Sequence, residues 1–168
     1  MAADQSTQYV FLVDDEPIQN EMLKDYLSER FQYKLKTYEN GEDALKDIGL
    51  NPAIMVLDFH LNSHLPDAKN GIDVLKLVRA ASPSTRVIML SGQDKLEVAV
   101  DSMKHGAYDY VIKGETAFSR MQNIFNNLEE LQGLKESNNG YKKVVIFLAV
   151  AIAAIIALSF YMVHKMGS

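Results

Sequence analysis

YVFLVDD, from Tyr9 to Asp15, decides how this chain folds. Its first five residues are uniformly apolar and read as a strand buried on both faces. Two acids, Asp14 and Asp15, arrive where that strand must stop. A second run of the same kind, residues 53–57 (AIMVL), is followed at once by Asp58. In an open α/β sheet, ligands bind beyond the carboxyl ends of the strands. The three acids are therefore expected to meet there. Converging carboxylates repel strongly unless a cation lies among them.

Working outward, strand-like and helix-like patterns alternate. Pro17 suits the first turn of a helix, where its missing N–H costs nothing, and Ile18, Met22, Leu23, Tyr26 and Leu27 give that helix an apolar face. Residues 33–38 alternate as a shorter strand at an edge. Asn40-Gly41 opens a short helix bearing Ala44, Leu45 and Ile48, which Asn51-Pro52 stops. After a polar loop, Gly71 leads into a helix with Ile72, Val74, Leu75 and Val78 apolar. Residues 86–90 (RVIML) form the fourth strand, ending at Ser91-Gly92. Leu96, Val98, Ala99, Val100 and Met103 sit on a helix that stops at His105-Gly106, glycine being a natural residue at such an end. Residues 107–112 form the fifth strand, ending at Lys113. Phe118, Met121, Ile124, Phe125, Leu128 and Leu131 recur at helical spacing. Five strands alternating with five helices imply a parallel sheet covered on both faces.

The chain has 168 residues, enough for one domain and an appendage. Its net charge of −5 is uneven: residues 1–140 carry −8, because no acid follows Glu136. That acidic balance argues against nucleic acid as a direct partner, since phosphate contacts need a basic surface. Cysteine is absent, so disulfides and thiolate metal sites are excluded. The start, MAADQSTQ, has neither a basic end nor an apolar core, so a cleaved secretory signal is not expected.

Residues 144–163 are apolar and uncharged throughout. As a helix they would extend roughly 30 Å, the thickness of a hydrocarbon core, with no polar face to meet water. A transmembrane helix is expected there. The expected divisions are a domain over 1–133, a flexible linker and juxtamembrane segment over 134–143, the span over 144–163 and a tail over 164–168. Lys142 and Lys143 on the near side against Lys165 on the far side favour a domain facing the cytoplasm from the inner membrane. Ala149, Ala153 and Ala157 lie on one face of that helix, a spacing that lets two copies pack as a homodimer.

Four of the five strands end in ionic or hydroxyl residues: Asp14 with Asp15, Asp58, Ser91 and Lys113. Together they suit phosphoryl transfer to a carboxylate. Oxygen ligands select a hard cation such as Mg²⁺, an ammonium pairs with phosphoryl oxygens, and a hydroxyl adds a hydrogen bond. Such a reaction needs positioning and charge neutralisation more than proton transfer.

These residues, in FLVDDEP (11–17), VLD (56–58), LSG (90–92) and HGAYDYVIK (105–113), resemble the receiver domain of two-component response regulators over roughly residues 8–130. The resemblance implies a flavodoxin-like, doubly wound sheet of order 2-1-3-4-5. It implies Asp58 as phosphoacceptor and Mg²⁺ held by Asp15, by Asp14 through water, by Asp58 and by the backbone carbonyl of His60. It places Ser91 and Lys113 on the phosphoryl group and makes Tyr110 the aromatic residue that turns inward as Ser91 moves. The implied partners are a histidine kinase or phosphotransfer protein as donor and a downstream protein as receiver of the signal. The protein is then a phosphoacceptor and not an enzyme. A phosphate sink or scaffold without switching output is the alternative. A phosphohydrolase is disfavoured, because His60 stands where such an enzyme has a second Asp.

Two features depart from that family. Gly71 lies 13 residues beyond Asp58, so the loop between them, which also holds His60 and His64, carries an insertion. Lys113-Gly114 replaces Lys-Pro, and a trans bond there is expected to re-aim the loop carrying Lys113.

Overall fold

The computed structural model describes residues 8–61, 69–92 and 96–166, for residues 132, 134–141 and 154–166 by their backbone. Two compact units result, residues 4–125 and 126–168.

The first unit is a five-stranded parallel sheet in the order β2-β1-β3-β4-β5. Its strands are β1 (Tyr9–Val13), β2 (Lys34–Tyr38), β3 (Ile54–Asp58), β4 (Arg86–Ser91) and β5 (Asp109–Ile112). Between them run α1 (Pro17–Ser28), α2 (Gly41–Lys46), α3 (Gly71–Ala81) and α4 (Leu96–Lys104), and α5 (Ala117–Met166) follows β5. The expected order and strand count are met. The central strands β3 and β4 are buried almost end to end, as is β1, while β2 and β5 are only partly covered. A central strand of a parallel sheet has helices over both faces, so an unbroken apolar run is what burial selects.

Alternation divides the strand residues between two faces. Phe11, Val13, Met55, Leu57, Val87 and Met89 share one core cluster with side chains of α2 and α3. The intervening residues, among them Asp14, Asp58 and Leu90, leave the other face. There α1 and the start of α5 meet: the Tyr26 and Phe118 rings stack at 5.1 Å, and Tyr26 Oη donates to Gln122 Oε1 at 2.7 Å.

Local chemistry sets the helix ends. Pro17 occupies the first turn of α1. Asn40 and Asn70 cap α2 and α3, accepting from Asp43 N and Asp73 N at 2.8 and 3.0 Å. Asn51 closes a short 3₁₀ turn (Ile48–Leu50) in the left-handed region at φ 50°, a conformation asparagine tolerates. Gly106 ends α4 at φ 90°.

Three expectations need correction. On α1, Ile18 (75 % exposed) and Met22 (51 %) lie outside the core, and the helix buries Asn20, Leu23 and Leu27 instead. On α4, Leu96, Val100 and Met103 are exposed and Ser102 is the buried residue. Hydropathy counts apolar residues but does not say which way a helix is rolled, and a small residue is favoured where a helix lies close to the sheet. Finally, the segment 134–143 is helical, part of α5, and does not form an irregular linker. Asn and Gly are weak helix formers, costing up to about 1 kcal/mol each, which strong formers on either side outweigh.

In the second unit, residues 144–163 are helical. Among the described residues no helix is long and apolar enough to cross a membrane; described side chains of this stretch end at Ala153, so Ala157 lies outside them. His64 also lies outside the described residues.

At Gly71 the start of α3 lies close against the end of β3. A Cβ there would stand 2.4 Å from the Asp58 carbonyl oxygen and 2.8 Å from Phe59 Cα. Gly71→Ala should therefore lower stability by about 2 kcal/mol, the scale of overpacking, read as a lower urea midpoint. Gly49→Ala, whose Cβ meets nothing within 4 Å, should change it by less than about 0.5 kcal/mol.

Candidate functional site

The ends of β1, β3, β4 and the residue after β5 bring the predicted side chains to one edge of the sheet. Carboxylate oxygens of Asp14, Asp15 and Asp58 all lie within 4.8 Å of one another. Asp14 and Asp58 are buried, at 4 % and 2 % exposure, and Asp15 is half-buried. Lys113 reaches across: its Nζ stands 2.7 Å from Asp14 Oδ2 and 3.1 Å from Asp58 Oδ1. Both contacts are ion pairs that fall short of well-directed hydrogen bonds.

The two buried carboxylates are also held by backbone. Asp14 Oδ1 accepts from Glu16 N at 3.0 Å, and Asp58 Oδ2 accepts from His60 N at 3.1 Å. The Lys113 side chain is aimed by its own main chain, since Lys113 N donates to Ser91 O at 2.7 Å. Ser91 is fully buried at the end of β4. Tyr110 pairs in register with Met89 and lies partly buried against the core cluster.

The Lys113–Gly114 bond is trans, no cis peptide occurring among the described residues. The lysine nonetheless reaches both carboxylates, so the glycine does not draw it from the site. His60 joins the site through its backbone N–H.

Asn20 was not singled out by the sequence. It is buried on α1, and its Nδ2 donates at 2.9 Å to both Asp14 O and Tyr38 O. It ties the ends of β1 and β2 together beneath the acids. The available signal was a polar residue among the apolar positions of α1, at helical spacing from Leu23 and Leu27.

Electrostatics follow from burial and charge. Burial pushes the Asp58 carboxyl above its ordinary range; Lys113 opposes this, while Asp14 and Asp15 add to it. For Lys113, burial pulls down, but Asp14 and Asp58 outweigh it and the ammonium is held above its usual value. Three carboxylates against one ammonium leave two negative charges in excess. An all-oxygen donor set with that excess fits a hard divalent cation. With a cation in place, Lys113 can turn from the acids to an incoming anion, and a carboxylate can act as nucleophile.

Comparison with known proteins agrees with this chemistry. The response regulator receiver domain model matches residues 10–125. The transcriptional regulatory protein MalR of Bacillus subtilis is 31% identical over 124 residues, covering 73% of this chain and 51% of MalR. The nitrogen assimilation regulatory protein NtrX of Azorhizobium caulinodans is 30% identical over 105 residues, covering 62% of this chain and 22% of NtrX. The chain thus spans about half, or less, of these curated relatives. Among solved structures, response regulator protein TrrA from Thermotoga maritima, in complex with Mg²⁺ and BeF, is 29% identical with a TM-score of 0.60, covering 72% of this chain and 98% of that one. The receiver domain of a Francisella response regulator is 26% identical with a TM-score of 0.63, covering 73% and 97%.

A raised carboxyl pKa has a definite sign. The fold disfavours the charged form of Asp58, so this group costs stability at neutral pH, and the cost is relieved as pH falls through its folded value. Asp58→Asn should therefore raise the urea midpoint of the metal-free protein at neutral pH. That gain should shrink toward the acid end of a pH series.

Proposed function

The chain belongs to the response regulator receiver domain family, and on that premise we propose that it is a membrane-tethered receiver. It accepts a phosphoryl group on Asp58 from a histidine kinase or phosphotransfer protein and passes the signal on by docking to another protein. A receiver is a phosphoacceptor and not a turnover enzyme. The observation that carries the reading is Lys113 held between buried Asp14 and Asp58, beside a three-carboxylate group.

In this reading an Asp58 oxygen attacks phosphorus and the donor imidazole leaves. Asp15 and Asp58, with the His60 backbone carbonyl and with Asp14 through water, would hold Mg²⁺, which when bound would offset the repulsion between these acids and the phosphoryl oxygens. Lys113 pairs with one phosphoryl oxygen, and the Ser91 hydroxyl hydrogen-bonds another. Moving Ser91 toward the phosphoryl group draws on the packing of Tyr110, in the neighbouring strand, and so reshapes the surface near β5. The acidic sequence supports a protein partner over nucleic acid.

The tether rests on residues 144–163. Val144, Val145, Ile146 and Phe147 are consecutive and exposed, and four consecutive residues go almost once around a helix. A helix apolar on every side is suited to lipid. In this reading residues 1–133 are the receiver, 134–143 lead to the bilayer, 144–163 cross it once and 164–168 end beyond it. Lys142 and Lys143 favour placing the receiver on the cytoplasmic side of the inner membrane. Ala149, Ala153 and Ala157 supply a small-residue stripe through which two copies could pair.

Two experiments test these parts separately. Asp58→Asn should reduce labelling from acetyl phosphate with magnesium to background; a label that persists would move the acceptor elsewhere. Removing residues 141–168 should shift the protein from a carbonate-washed membrane pellet to the supernatant, whereas an unchanged distribution would rule out the tether.

A further inference from the structure

A cleft of about 250 Å³ opens between α1 and the start of α5. Met22 and Leu23 of α1, Phe118 and Met121 of α5, Leu90 of β4 and Lys113 are among the residues that line it. We propose that this cleft receives the acyl group of an acyl phosphate, so that donors with a six- or seven-carbon apolar acyl group phosphorylate Asp58 better than acetyl phosphate does. The proposal rests on Asp58 being the phosphoacceptor.

Position ties the cleft to the acids. Leu90 is the register partner of Asp58 in the β3–β4 pair, and paired residues of adjacent strands stand about 4.8 Å apart. Their side chains leave the same face of the sheet, the face that Asp14 also shares. Lys113 belongs to both places: it lines the cleft, and its ammonium lies 2.7 and 3.1 Å from Asp14 and Asp58. A molecule with an apolar tail in the cleft and an anionic head on Lys113 therefore carries that head on the side of Asp58.

Size and lining select the tail. An apolar cavity of about 150 Å³ is enough to bind benzene, so this cleft holds a benzoyl group or a six-carbon chain, while an acetyl group leaves most of it unfilled. Gly114 also lines the cleft. A Cβ at this position would meet nothing within 4 Å, so the cleft is open beside Lys113. Met22, half exposed on the opposite wall, is apolar without serving the core. That is what a binding wall requires and a solvated helix face does not.

The transfer balances simply. An Asp58 carboxylate oxygen forms the new bond to phosphorus, the bond from phosphorus to the bridging acyl oxygen breaks with its electron pair, and the acyl group departs as a carboxylate. No proton or redox partner is needed.

The test compares benzoyl phosphate with acetyl phosphate as donors to the whole chain in magnesium, at equal concentration, reading the initial rate of Asp58 phosphorylation. Met22→Trp, which fills the cleft from an exposed position, corrects for the different reactivities of the two anhydrides. Apolar groups that fit a pocket are worth about tenfold or more in such discrimination. The benzoyl-to-acetyl ratio of the parent chain should therefore exceed that of Met22→Trp by about tenfold; equal ratios overturn the proposal. Failure of both donors to label Asp58 overturns the phosphoacceptor reading itself, and this inference with it. Binding has its own readout: titrating benzylphosphonate should shift the Met22 and Met121 methyl resonances and leave Met55 and Met89, in the core on the other face, in place. Unmoved Met22 and Met121 signals would overturn the assignment of the cleft.

Discussion

Everything at the functional edge depends on one ammonium held between two buried carboxylates. Asp14 and Asp58 leave the same face at the ends of adjacent strands, almost fully withdrawn from water. A buried charge with no partner is strongly destabilising. Lys113 answers both acids at once, and its backbone is fixed by the bond to Ser91. Thus the ends of β1, β3, β4 and β5 meet in one local charge balance. The balance is deliberately incomplete in sign, since the third carboxylate, Asp15, leaves the group anionic. A structural ion pair needs no such surplus, and a site that must take up a cation does.

The sheet was readable because burial on both faces erases alternation. Tyr9–Val13 shows this plainly, and its observed limits match the reading. The acids and the lysine were readable for a related reason: a charged residue ending a buried run has only the strand end to occupy. What the sequence hid is what tertiary packing decides. Nothing in the spacing of α4 reveals that Ser102 faces inward while Leu96 faces out, because the roll of a helix is set by the surface it meets. Asn20 looks like an interruption of an apolar face until its amide is seen bridging the Asp14 and Tyr38 carbonyls. Gly71 could be seen to open a helix, but only the fold shows that its hydrogen side chain lets α3 rest on the Asp58 carbonyl.

The polar stretch before the apolar segment illustrates a different limit. Asn138-Asn139-Gly140 carries every local mark of a break, and the backbone is nevertheless helical there. Propensity is a small quantity per residue, and a helix already nucleated on one side extends through a few poor formers at little cost.

The open border of the sheet at β2 also shapes how this molecule can associate. Lys34 and Lys36 project from alternate positions of that outermost strand; Lys36 is tied to Asp47, and the Tyr38 hydroxyl donates to the same carboxylate at 2.9 Å, its pKa pushed up to about 12 first by burial. A foreign chain adding itself as a sixth strand would have to pass its backbone along this fringe of ammonium groups, a barrier that proteins commonly place on an unpaired border. Crowded copies are thereby discouraged from pairing along this border into continuous ribbons.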